Sequence, residues 1–139
     1  MNYIGTILEE SLSDKSVLKE VKILKQKVEP VSEKSKTPWV TKWTHDYVEI
    51  AEGQADEIAH KLSQAIEFEH ESSWYADYLN NQTHYIIFKN KVFKIDRGSK
   101  EQYDAAFDYG LSVGIPEYQL ITFESQKQIE GRRKAKYDQ

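Results

Sequence analysis

Trp74 to Arg97 reads as three short strands joined by two tight turns, and a run of that kind can be placed only in an antiparallel sheet. Short hairpin loops force neighbouring strands to run in opposite directions. Asn80, Asn81 and Gln82 mark the first turn, and Asn90-Lys91 reads as a two-residue turn in which Asn can take positive φ. That register sets Phe88 opposite Phe93, Ile86 opposite Ile95 and His84 opposite Arg97. One hairpin face then holds His84, Ile86, Phe88, Phe93, Ile95 and Arg97, apolar near the turn and polar at its open end.

The flanking segments supply the rest of the expected architecture. Ile4, Ile7, Leu8 and Leu12 recur at helical spacing and predict a short amphipathic helix over Tyr3 to Leu12. Pro30 and the β-branched content favour a strand over Lys19 to Val31, although Val17, Leu18, Val21 and Leu24 also fit a helix. After a polar loop from Ser32 to Pro38, Trp39 to Ala51 alternates, with Val40, Thr44, Val48 and Ile50 on one side and Trp39, Trp43, His45 and Tyr47 on the other. Gln54 to Ile66 carries one apolar stripe and predicts a helix, and Glu67 to Ser73 reads as a polar connection.

Ser99 with Gln102 predicts a capped helix start, and Gly114 followed by Pro116 predicts its stop. Tyr118 to Phe123 alternates as a last strand. The expected class is α+β, a single mostly antiparallel sheet of five to six strands with two to three helices packed mainly on one face. The expected division is one domain over residues 1 to 124 and a basic, flexible tail over 125 to 139.

Charge and composition limit the function. The net charge is −4, but residues 127 to 139 carry +3 and leave −7 on the rest, which argues against nucleic acid as a partner. The absence of cysteine excludes disulfides and thiolate chemistry. No stretch approaches the roughly 18 apolar residues of a membrane span, and no secretory leader pattern opens the chain, so a cytoplasmic protein is expected. Glycines are scattered, with no phosphate-cradling spacing, and no histidine pair has metal-ligand spacing. No metal and no cofactor is expected.

Ser73-Trp-Tyr-Ala-Asp77, the run from His84 to Arg97 and Gly114-Ile-Pro-Glu-Tyr-Gln-Leu120 resemble a group of small bacterial proteins of uncharacterised activity, over about residues 1 to 120. That resemblance implies a bacterial cytoplasmic origin and carries over no functional residue.

Two functional expectations follow from the residues. His84 or His45 with Asp77, Asp96 and Arg97 could form an acid-base site near the open end of the hairpin: a histidine oriented by a carboxylate, with an arginine to clamp an anion. The simple alternation places Asp77 and Asp96 on the face opposite His84. The favoured expectation is a small binding or regulatory protein that uses an aromatic sheet face, with Trp43, His45, Tyr47, Trp74 and Tyr78 as ligand-binding candidates. A small ligand, a protein partner or a second copy of the chain would suit it.

Overall fold

The computed structural model describes residues 1–30, 42–66 and 75–137, and side chains over 1–28, 44–66 and 75–131. Trp39, Trp74, the loop from Ser32 to Pro38 and the connection from Glu67 to Ser73 lie outside the described residues, as does the side chain of Trp43. Among the described residues six strands form one open antiparallel sheet: β1 (Tyr3–Leu8), β2 (Lys22–Pro30), β3 (Lys42–Ile50), β4 (Ala76–Leu79), β5 (Thr83–Phe88) and β6 (Lys91–Asp96), in the spatial order β2-β3-β1-β4-β5-β6. Three helices among the described residues complete an α+β fold, α1 (Ala55–Ala65), α2 (Lys100–Ser112) and α3 (Gln126–Tyr137).

The helices divide between the two faces. Tyr3, Ile7, Val48, Ile50, Tyr78, Tyr85 and Ile87 share one core with Ile58, Ala59 and Leu62 of α1. Residues of the opposite alternation phase, Ile86, Phe88 and Ile95, share a second core with Tyr103 and Ala106 of α2 and with Leu120 and Ile121. This two-sided burial explains why β5 is apolar on both sides.

The first departure from the sequence reading concerns residues 3 to 8. Tyr3 to Leu8 is the strand β1 and not a helix. It lies between β3 and β4, with Tyr3, Gly5 and Ile7 buried and Ile4, Thr6 and Leu8 half-buried, and the apolar Ile4, Ile7 and Leu8, drawn from both phases, mimic helical spacing. Gly5 permits that central position. A Cβ there would stand 2.1 Å from the carbonyl oxygen of Asp77 and 2.4 Å from the Cβ of Tyr78.

Three further differences bear on the site. The hairpin turn is Lys89-Asn90, with Asn90 at φ 58°, so Phe88 pairs with Lys91, Ile86 with Phe93 and His84 with Ile95. Because the slip is two residues, every side chain keeps its expected face. Tyr118 to Phe123 is not a strand: a 3-10 turn covers Glu117–Gln119, and Leu120 and Ile121 enter the same core in succession. One strand cannot turn adjacent residues to one face. Finally, the segment after Glu124 opens helix α3, whose first residue, Gln126, is buried.

Candidate functional site

The open end of the hairpin gathers a chain of polar side chains under α2 and α3. Asp77 pairs with Ile86 across β4 and β5, which sets it diagonally from His84 on the same face. The expectation that Asp77 faces away from His84 is therefore overturned by the strand register. His84 Nε2 lies 2.7 Å from Asp77 Oδ2, and His84 Nδ1 lies 2.9 Å from the hydroxyl of Tyr103. The Ser99 side chain accepts the backbone N–H of Gln102 and starts α2, which places Tyr103 in its first turn.

From Tyr103 the chain continues into α3. The Tyr103 hydroxyl donates to Gln126 Oε1 at 2.8 Å, and Arg97 Nε donates to the same oxygen at 2.7 Å. Gln126 Nε2 donates to the Arg97 carbonyl at 3.0 Å. The Arg97 guanidinium donates to the Asn80 carbonyl at 2.7 Å and to both carboxylate oxygens of Glu130 at 2.7 and 3.3 Å. Gln126 and Glu130 are four residues apart and so share one side of α3.

Donor counting fixes the protons. Arg97 can only donate, so the atom of Gln126 that it meets is the oxygen. That oxygen can only accept, so the single hydroxyl proton of Tyr103 points at it. His84 Nδ1 must then donate to Tyr103. One further proton lies between His84 Nε2 and Asp77 Oδ2, whichever atom carries it, and the pair as a whole is neutral. Burial pushes the Tyr103 hydroxyl far above the ordinary phenol range, which keeps its donor proton in place.

None of these groups is open to solvent to a useful degree. The His84 and Asp77 side chains are 0% and 6% exposed, and those of Arg97 and Glu130 are 11% and 19% exposed. A shallow depression lined by Asn81, Gln82, Arg97, Gly98 and Gln102 borders the cluster at Arg97, but its lining does not include the imidazole, which is fully buried.

The remaining sequence candidates go elsewhere. Asp96 is exposed and caps the turn after β6, its Oδ1 accepting the Gly98 N–H at 2.9 Å. His45 sits half-buried on β3, beside Leu8 of β1 and Lys27 of β2. Tyr47 is buried on the same face, between Thr6 and Lys25. Tyr78 lies on the opposite face, in the α1 core, and its hydroxyl donates to the Ala55 carbonyl. It therefore does not join Tyr47 in one aromatic surface. Among the described residues no three His, Asp or Glu side chains come together to hold a metal ion, and no helix is long and apolar enough to cross a membrane.

Sequence reasoning missed Tyr103, Gln126 and Glu130. Tyr103 carries no signal beyond its helical spacing to Ala106, Phe107 and Gly110, which reads as an apolar stripe of α2. The four-residue spacing of Gln126 and Glu130 was the one available signal in a segment with almost no apolar pattern.

No family model, no curated protein and no solved structure matches the chain. What it does must be argued from its own residues.

Proposed function

We propose that the protein is a small binding protein of the bacterial cytoplasm that takes an extended, acidic segment of a protein partner along β2 and the sheet face next to it. The observation that carries this reading is the saturation of the polar cluster. His84, Asp77, Arg97 and Glu130 spend their hydrogen-bonding groups on one another and on Tyr103, Gln126 and Asn80, so they act as a tie between the hairpin and the helices.

The other half of the same face has a different character. Cross-strand rows there run Ile4–Glu49–Lys22, Thr6–Tyr47–Lys25 and Leu8–His45–Lys27. The α2 core does not extend to these strands among the described residues. Among the described residues β2 is an edge strand, and an edge strand offers backbone N–H and C=O groups to an added strand. Its side chains include exposed Ile23 and Val28, at 42% and 52%, with exposed Lys22, Lys25 and Lys27. Apolar positions alternating with cations suit an extended segment that carries Glu or Asp. A second copy of β2 would set lysines against lysines, which disfavours self-pairing.

An NMR titration tests this with two probes, a capped Glu-Val-Glu-Val-Glu-Val-Glu peptide and its Lys-Val counterpart. The acidic peptide is expected to shift the amides of β2 and β3 in a salt-sensitive way, and the basic one to leave them in place. Equal responses, or none on β2 at millimolar peptide, would remove the proposal.

The alternative reading is a small enzyme with its acid-base site at the open end of the hairpin, favoured by the 2.7 Å contact of His84 with Asp77. It requires α3 to leave, because Gln126 and Glu130 close that end.

A further inference from the structure

A second polar cluster lies where β2 meets β3, on the face away from His45. Asp46 is completely buried in the middle of β3, beside Ile7 of β1 and Gln26 of β2. Its Oδ1 accepts from Gln26 Nε2 at 2.9 Å, and the same amide nitrogen donates to Glu9 Oε2 at 2.8 Å. Among the described residues its Oδ2 is buried with no hydrogen-bond partner. A buried carboxylate oxygen without a donor is costly, and a proton on it removes the cost.

The surroundings point the same way. β1 ends at Leu8, opposite His45, and the 3-10 turn Glu9–Ser11 then folds over β3, where the Glu10 carboxylate accepts the N–H of Thr44. Glu9 and Glu10 are the charged groups that act most strongly on Asp46, and both oppose its ionisation. On the same side of β3 its neighbours are Thr44 and Val48, β1 contributes the apolar Ile7, and β2 contributes the neutral Gln26. One neutral amide thus serves two carboxyl groups at the edge of the sheet.

We infer that Asp46 and Glu9 form a proton-binding site that controls how firmly the edge strand β2 is held to the sheet. With a proton taken up from solvent, Asp46 Oδ2–H donates to the Glu9 carboxylate, and Gln26 bonds both groups. When the proton is lost, two carboxylates face each other across a single amide, one of them desolvated, and β2 opens more readily. The inference stands whether or not β2 binds an acidic segment.

The sign follows from the direction of the shift. Burial, with smaller contributions from Glu9 and Glu10, pushes the Asp46 carboxyl up from 3.8 to about 6. A raised carboxyl favours the folded arrangement most at low pH and loses that advantage as pH rises through the folded value. Amide hydrogen exchange of β2, corrected for intrinsic rates, is expected to show about tenfold greater protection at pH 5 than at pH 7.5. Asp46→Asn supplies a permanent N–H in place of the proton, so its β2 protection is expected to be high and flat across that range. Where that variant fails to fold, the carboxyl carbon of Asp46 in the unaltered protein is followed by NMR. A midpoint near 6 supports the site, and Glu9→Gln is expected to lower it. Flat protection in the unaltered protein, or a midpoint in the ordinary carboxylate range near 4, would overturn the inference.

Discussion

The carboxylate of Asp77 and the imidazole of His84 meet at 2.7 Å in the interior, with Tyr103 on the other ring nitrogen. The three sit on β4, β5 and α2, so the contact joins two strands and a helix by one shared proton and one donated hydrogen bond.

Removing either partner should be severe. Asp77→Ala leaves a buried imidazole nitrogen without its partner, and His84→Ala leaves a buried carboxylate. Each is expected to cost about 3–5 kcal/mol, the usual range for breaking a buried pair. Urea denaturation measures this, and a double-mutant cycle separates the coupling from the cavity each variant leaves. Single losses below about 1 kcal/mol would mean the pair is not a structural tie.

Glu130→Ala should act more locally. α3 offers Ile129 as the partly buried apolar contact among its described side chains, and a helix of twelve residues is marginal without docking. Its attachment therefore rests on Gln126 and on the bidentate pair of Glu130 with Arg97. The expected loss is about 1–3 kcal/mol, with hydrogen exchange rising in residues 126–137 well before it rises in β5.

Two glycines should respond differently to alanine. At Gly5 the new Cβ meets backbone, 2.1 Å from the Asp77 carbonyl oxygen, and a central strand cannot shift without disturbing both neighbours. Loss of about 3 kcal/mol or more is expected. At Gly110 it meets the Leu120 side chain, 2.5 Å from Cδ2, which can rotate. The gain in helix propensity, roughly 1 kcal/mol, offsets part of that strain, and thermal melts of the two variants should separate clearly.

Stability should peak on the acid side of neutrality. The Asp46 carboxyl, raised to about 6 by burial, favours folding as pH falls from 7 towards 5, by about 1 kcal/mol. The hydroxyl of Tyr85 donates to Asp56, and a backbone N–H from Ser16 reaches Asp14, so both carboxyls are held below their ordinary 3.8. Their contribution is present above 3.8 and is lost as pH falls through the lowered values. Urea midpoints measured from pH 3 to 8 should therefore rise from 7 to 5 and fall below 4.

The sheet, its hairpin and the two helices α1 and α2 were legible because their signals are local. Alternation, a capped helix start at Ser99 and a stop at Gly114 need no knowledge of distant residues. The identity of β1 was not legible, since its half-buried phase carries Ile4 and Leu8 beside the buried Ile7, and with Leu12 these fall at helical spacing. The polar cluster was half legible. His84, Asp77 and Arg97 stood out by residue type, but the register that brings Asp77 to His84 depends on how β4 aligns with β5. Tyr103, Gln126 and Glu130 join them through tertiary docking, for which a sequence of polar helical residues gives no sign. The buried Asp46 drew no notice, because nothing in the sequence told that the Glu9–Ser11 turn would fold over its strand.

The most direct measurement is chemical access to the histidines. Diethyl pyrocarbonate modifies accessible imidazoles, and peptide mass spectrometry resolves the sites. In the folded protein His60, exposed on α1, should react readily, while His84, fully buried between Asp77 and Tyr103, should remain unmodified until the chain unfolds. Modification of His84 in the native state at a rate comparable to His60 would show that its end of the hairpin opens to reagents, and would contradict the reading of the cluster as a closed structural tie.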